Sequence, residues 1–309
     1  MTTSTLFGIT TPEILPRYRV RSTAEMQHTV YSGTWFTAAA VKENGGRIGQ
    51  VQKKQKMEQK NWNLLDESLG LHINDDAKPW PLCGRFVLVE DCVDTSAAFV
   101  LHHILKRSFS SHPSSAVLFL AFSHPFSHYD RVLRKLCRRH YDSASLSIFI
   151  FGGYLKLVLE VLILVWEDMQ LSVVVNQKQD KKSISIIIDD ISFLEVAANG
   201  SSDDVLNLLH YCHTLTSEYG CALIALDHKD IYLNGDRTAV ILEMEYRADI
   251  LVKAEPLATG LAKDVHGQLM VLNKETQHQH GITAIKSYNF HFKIKENGIE
   301  CFYPGTKIQ

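Results

Sequence analysis

From about residue 61 onward the chain alternates short apolar runs with stretches in which apolar side chains recur at helical spacing. That alternation predicts an α/β domain on a mostly parallel sheet. Phe86–Glu90, Ser114–Phe122, Ser183–Asp190 and Cys221–Leu226 have strand length and near-continuous apolarity, as strands buried on both faces require. After the first run, Ala97, Val100, Leu101, Ile104 and Leu105 share one helical face, with His102, His103, Lys106 and Arg107 opposite. Val205, Leu208, Leu209, Cys212 and Leu215 form a second such stripe, behind a turn rich in capping residues. NWNLLDESLGL reads as a short helix ended by Gly70, and ILEMEYRADILVKAE as a helix or strand leading into Asp249–Lys253. Near the end, Phe290, Phe292 and Ile294 alternate with Asn289, His291, Lys293 and Lys295 before a turn at Glu296–Gly298. This predicts an antiparallel edge with one buried face.

Residues 145–175 are apolar enough to suggest a membrane span, but Lys156 and Glu160 fall inside the span-length window. Each would cost on the order of 3 kcal/mol there. Gly152 and Gly153 split the run, which therefore reads as a buried strand and a helix, followed by a polar loop at Gln177–Lys182. No membrane partner is expected. Residues 1–56 are rich in Ser and Thr and end in QVQKKQKMEQK, which predicts a disordered extension, with the domain occupying 57–309. Arg17, Arg19 and Arg21 suit a mitochondrial leader, but Glu13 and Pro16 interrupt the amphipathic helix one needs.

The 309 residues carry a formal net charge of −2, so any attraction to nucleic acid must come from local patches. Six cysteines without a CxxC pair fit free thiols in a reducing compartment.

A strand entering a helix through about eight residues is where P-loop NTPases hold phosphates. Here the loop is DCVDTSAA, and against G-x-x-x-x-G-K-[ST] all four fixed positions are lost. Asp91 and Ser96 stand for the glycines, Ala97 for the lysine and Ala98 for the hydroxyl residue. Glu90, Asp91 and Asp94 would repel a triphosphate. No nucleotide cofactor is therefore expected. Asp189 and Asp190 end their strand as a Mg²⁺-holding aspartate would, but paired acids there also serve as ordinary helix-start residues. His210, Cys212, His213 and Cys221 invite a zinc reading, yet Cys212 belongs to the apolar stripe and Cys221 opens the next strand, so no metal is expected. Ser127 with Asp130 resembles a capping box opening a basic helix with Arg131, Arg134, Lys135, Arg138 and Arg139. Such a charge run is either a solvated face or a phosphate-contacting or acidic-partner surface.

The strings LLDESLG, GRFVLVEDCVDTSAAFVLHHILKR, LAFSHPFSHYDRVLRKL, IIIDDISFLEVAANGSSDDVLNLLHYCHTLT, YRADILVKAEPLATGLAKDVHGQL and FHFKIKENGIECFYPG resemble the plant-type Elongator complex protein 6 family over about residues 61–137 and 183–305. Residues 1–56 and 138–180 depart from it. The resemblance implies a RecA-like fold with a degenerate nucleotide-binding loop and a non-catalytic role. It implies assembly with the RecA-like Elongator subunits four and five into a hexameric ring of two copies each, attached to the catalytic subunits. That ring binds tRNA and supports modification of the wobble uridine at its 5-position, in cytoplasm and nucleus. The competing readings are a stand-alone RNA-binding module using the basic helix and a cryptic nucleotide-dependent enzyme using Asp189 or Asp190. In RecA-like rings the loops after the later core strands line the opening; here these are Ala198–Asp204 and Asp227–Thr238, the second carrying Lys229 and Arg237 as RNA-contact candidates.

Overall fold

The computed structural model describes residues 63–71, 80–111, 116–137, 146–150, 184–231, 239–260, 262–277, 282–296 and 298–306. The expectations for residues 1–56 and for 151–183 lie outside these. In chain order the elements are α1 (Leu64–Leu69), β1 (Phe86–Asp91), α2 (Ala98–Ser111), β2 (Ala116–Ala121), α3 (Phe126–Cys137), β3 (Leu146–Ile150), β4 (Ile184–Ile188), α4 (Ile191–Ala197), α5 (Ser202–Tyr219), β5 (Ala222–His228), α6 (Ala239–Arg247), β6 (Ile250–Glu255), β7 (Gly267–Gln277), β8 (Ile282–Lys295) and β9 (Gly298–Phe302). The strands form one sheet in the order β3-β2-β4-β5-β1-β6-β7-β8-β9. Pairing is parallel from β3 to β6 and antiparallel from β6 to β9. This is an α/β sheet, parallel with an antiparallel extension, the strand β5 lying between the loop-bearing β1 and the acid-bearing β4.

Every residue of β1 is buried, as its apolar run requires. Strand alternation sends Val87 and Val89 into a core shared with α1, α2 and α3, while Phe86 and Leu88 face a second core under α4, α5 and α6. Each such side chain contributes about 1.5–3 kcal/mol relative to exposure. The turn ending α1 is a left-handed Gly70, and Gly220 ends α5 in the same way. A buried carboxylate, Asp66, ties α1 to α2: it accepts from Arg107 Nε at 2.8 Å and meets His103 Nε2 at 2.7 Å. Burial and the nearby Lys106 ammonium hold His103 down at about 4, so the imidazole is neutral at pH 7 and Arg107 supplies the countercharge. On the other side of α1, Asn273 of β7 donates to Ser68 O at 3.0 Å and accepts from Arg85 at 2.6 Å.

Three expectations change. The helix α3 begins at Phe126, so Ser127 and Asp130 lie within it rather than capping it; the chain turns in at Pro125, whose carbonyl accepts from His128 N at 2.9 Å, and Asp130 pairs with Arg134 instead. The segment Ala198–Asp204 does not follow β4 directly, because α4 intervenes with Asp190 as its N-cap. Ile294 is 44% exposed despite its alternation with Phe290 and Phe292. The register explains this: β7 begins at Gly267 opposite Phe292, so Ile294 extends past β7 and pairs only with β9. The ambiguous ILEMEYRADILVKAE resolves into α6 followed by β6.

Gly267 sits where a side chain cannot. A Cβ built there would stand 2.8 Å from Glu255 O and 2.9 Å from both Phe292 Cε1 and Thr95 Cγ2. Gly267→Ala is expected to cost about 1–3 kcal/mol by overpacking, read as a lowered denaturation midpoint; an unchanged midpoint would show that the sheet and the Thr95 loop shift freely.

Candidate functional site

In open parallel sheets ligands bind beyond the carboxyl ends of the strands, where successive connections leave in opposite directions. Here the chain leaves β1 toward β2 on one side and passes from β5 to β6 on the other, so this crevice lies past the ends of β1, β5 and β4. Asp91, His228 and the pair Asp189–Asp190 stand there.

The DCVDTSAA segment closes on itself. Cys92 and Thr95 form an antiparallel bridge, Thr95 N donating to Cys92 O at 2.9 Å, and Val93 and Asp94 make the exposed tip. A phosphate-binding loop works by aiming free backbone N–H groups at the anion. In this loop several of those donors are already engaged: Ala97 N with Asp91 Oδ2 at 2.7 Å, Val93 N with Asp230 Oδ2 at 2.6 Å, and Ala98 N with Ser96 Oγ at 3.3 Å. Two of these acceptors are the protein's own carboxylates.

Asp91 is fully buried, and a carboxylate at that depth requires a countercharge. It has one in His228, the register partner of Asp91 across β1 and β5, whose Nδ1 donates to Asp91 Oδ1. The other ring nitrogen of His228 lies 3.5 Å from Asp190 Oδ2. The hydrogen bond to Asp91 is the main cause that lifts His228 to about 9, against the opposing effect of burial, with the charges of Asp91, Asp190 and Asp227 adding to it. At pH 7 the ring is an imidazolium clamped between two strands' acids. Asp190 also caps α4, accepting from Phe193 N at 3.1 Å, and takes Ser123 Oγ at 3.1 Å. Asp189 accepts from Phe122 N at 2.6 Å, Ser123 N at 3.1 Å and the Tyr129 hydroxyl, which binds it to β2 and α3. Burial raises the Asp189 carboxyl above its ordinary value even so. On the opposite face of the sheet, Lys253 pairs with Glu90 at 2.9 Å and also with Glu245 of α6.

Both aspartates of the Walker-type strand are thus committed to internal partners. Among the described residues no cluster of three His, Cys, Asp or Glu side chains could hold a metal ion, and none of the six cysteines is in a disulfide. Cys212 and Cys221, drawn into the zinc reading above, lie in the core, where burial pushes both thiols up to about 12.

Residues 162–296 match the family described as Elongation complex protein 6. The Elongator complex protein 6 of Homo sapiens is 25% identical over 247 residues, which cover 72% of this chain and 91% of that protein. The protein of the same name from Dictyostelium discoideum is 29% identical over 142 residues, covering 44% of this chain and 40% of its own length. Over these residues the chain is similar to Elongator complex protein 6. Among solved structures it resembles a KaiC-like protein of Pyrococcus horikoshii OT3, with a TM-score of 0.48 and 13% identity over 71% of this chain and 90% of that one.

The described RNA-contact candidates fall on separate elements. Lys229 follows β5 and is held by Glu255 at 2.8 Å, an ion pair that also keeps the Glu255 carboxyl below its ordinary value. Arg237 lies outside the described residues, as do Arg138 and Arg139. On α3, Arg134 pairs with Asp130 at 2.8 Å, while Arg131 and Lys135 are exposed.

Sequence reasoning missed His228 and Asp230. It treated Asp91 as a carboxylate that would repel a triphosphate, whereas the structure buries Asp91 and neutralises it with His228. The signal was present in part, since His228 lies two positions past the apolar run Cys221–Leu226; only the β1–β5 register makes it Asp91's neighbour.

Because the folded pKa of about 9 lies above the ordinary histidine value of 6.5, the His228 contribution is complete below pH 6.5 and is lost as pH rises through 9. A hydrogen bond to a charged group is worth about 1.5–3 kcal/mol. His228→Gln is expected to lose that much stability at pH 7 and to flatten the decline between pH 7 and about 9.5; denaturant titrations of both proteins at several pH values check it, and parallel pH profiles would refute the clamp.

Proposed function

We propose that this protein is a non-catalytic subunit of the Elongator complex, a RecA-like module that assembles with subunits four and five into a hexameric ring. The ring binds tRNA and supports the 5-position modification of the wobble uridine carried out by the catalytic subunits. The observation that carries this reading is the loop's internal bonding: Ala97 N is held by Asp91 and Val93 N by Asp230, which takes donors that a phosphate would need. What remains at that edge suits protein contact. Val93 is 84% exposed, Val196 71%, Ile231 49% and Phe193 48%, and these follow β1, β4 and β5 around the same crevice. Exposed apolar groups gathered at one edge of a soluble domain favour a protein partner.

RNA contact in this reading belongs to the assembled ring. Lys229 is paired, so a single copy offers little attraction for phosphate, and linked weak sites gain by effective concentration. The domain is placed at residues 57–309 and the protein in cytoplasm and nucleus.

Co-expression with subunits four and five followed by mass measurement tests the assembly. Val93→Asp with Phe193→Asp is expected to weaken it at least tenfold while leaving the domain's melting temperature within a few degrees, because both side chains are solvent-facing. Deleting residues 1–56 is expected to leave assembly unchanged. A ring that forms undiminished with both aspartates would move the interface elsewhere. The purified chain is expected to show no saturable ATP binding at micromolar concentration; such binding would favour the nucleotide-dependent reading. In the assembled ring, tRNA affinities of Lys229→Ala with Arg237→Ala and of Arg131→Ala with Lys135→Ala assign the RNA contact to the loop or to α3.

A further inference from the structure

His124 and His128 stand four positions apart across the turn that opens α3, and their ring centres are 4.3 Å from one another. Among the described residues neither ring has a hydrogen bond or an ion pair, so no carboxylate or carbonyl competes there for their nitrogens. The backbone that carries them is fixed on both sides. Ser123, just before His124, donates from N to Asp189 and from Oγ to Asp190, each at 3.1 Å, and Tyr129, just after His128, donates its hydroxyl to Asp189. Between them Pro125 fixes its own φ, and its carbonyl accepts from His128 N at 2.9 Å. A pair held in this way is spared much of the ordering cost that two loose side chains would bear on binding a ligand.

A neutral imidazole offers one lone pair, and imidazole nitrogens are the commonest protein ligands of transition ions. With metal–nitrogen distances of about 2.0–2.1 Å, two imidazoles on one ion have ring centres about 4.5–6.5 Å apart, so this pair stands near the cis limit. The ring planes are 27° apart, and both nitrogens reach one ion once His124 turns about χ2. That side chain is exposed and the torsion is a soft one, so the turn costs little. Burial, with the charges of His124 and Arg131, keeps His128 below its ordinary value, which leaves its ring neutral at pH 7. The third imidazole nearby, His102 of α2, has its centre 6.3 Å from His128 and packs on Tyr129, and the described residues form no three-ligand set. We propose that His124 and His128 form a two-imidazole site for a divalent transition ion, Cu²⁺, Ni²⁺ or Zn²⁺, with water completing the coordination sphere. A pair of nitrogen donors does not suit Mg²⁺ or Ca²⁺, which take oxygen ligands. The proposal is independent of ring assembly.

The test is calorimetric titration of the full chain at neutral pH with Cu²⁺, Ni²⁺ and Zn²⁺ chlorides in turn, and with Mg²⁺ chloride for comparison. The expected result is one saturable site, tightest for Cu²⁺, and no binding of Mg²⁺. His124→Ala and His128→Ala should each weaken it at least about tenfold, since even the partners behind a metal ligand are commonly worth that much. His124 is exposed, so folding is not at stake in its variant. His278 and His280, two positions apart and outside the described residues, are a second imidazole pair in the sequence. His278→Ala with His280→Ala is therefore the control, and it should leave the titration unchanged. Four results would each overturn the assignment: no saturable binding of any of the three ions, equal binding of Mg²⁺, binding untouched by His124→Ala, or binding abolished by the control pair.

Discussion

The buried carboxylate of Asp91 is the constraint around which the carboxyl end of this sheet is built. It stands at the end of the central strand β1 with no exposure to water, so its charge must be met within the protein. One oxygen accepts Ala97 N at the start of α2, and the other accepts from the His228 imidazolium at the end of β5. The same imidazolium approaches Asp190, which caps α4 after β4. Three strand ends and two helix starts are joined through one ion cluster. Removing either partner would strand a charge or a donor in the interior, which is costlier than the bond is worth when made.

That arrangement inverts the electrostatics of a phosphate site. A nucleotide-binding loop is built as a ring of unsatisfied donors awaiting an external anion, with a lysine to complete the charge. In this protein the anions are internal and permanent, and the cation is a histidine on the neighbouring strand. Thr95 seats the closed loop against β7 at the one place where Gly267 leaves room. The loop is therefore held from both sides, by Asp91 and Asp230 above and by the antiparallel extension beneath. Its exposed tip presents the Val93 side chain, while the Val93 N–H is held by Asp230.

Much of the fold was legible in the chain. Continuous apolar runs such as Phe86–Glu90 and Ser183–Asp190 have one physical solution, burial on both faces of a parallel sheet, and β1 and β4 are such strands. The 3.6-residue stripes of α2 and α5 likewise specify their own buried faces. The loss of lysine and glycines from residues 91–98 is a fact of composition, and no packing could restore it. Ser127 and Asp130 misled because a capping box is a local pattern, while the start of α3 was decided by the chain's turn at Pro125.

What only the tertiary structure decided is which residues meet across the sheet. Sequence places Asp91 and His228 137 positions apart, and nothing local couples them; the parallel register of β1 on β5 sets them side by side. The same holds for Val93 with Asp230 and for Asp189 with Tyr129. Period and composition act along the chain and so determine the elements and the absence of the motif's glycines and lysine from residues 91–98. Countercharge acts through space at a few ångströms, so how the buried acids are neutralised was decided by strand order and register.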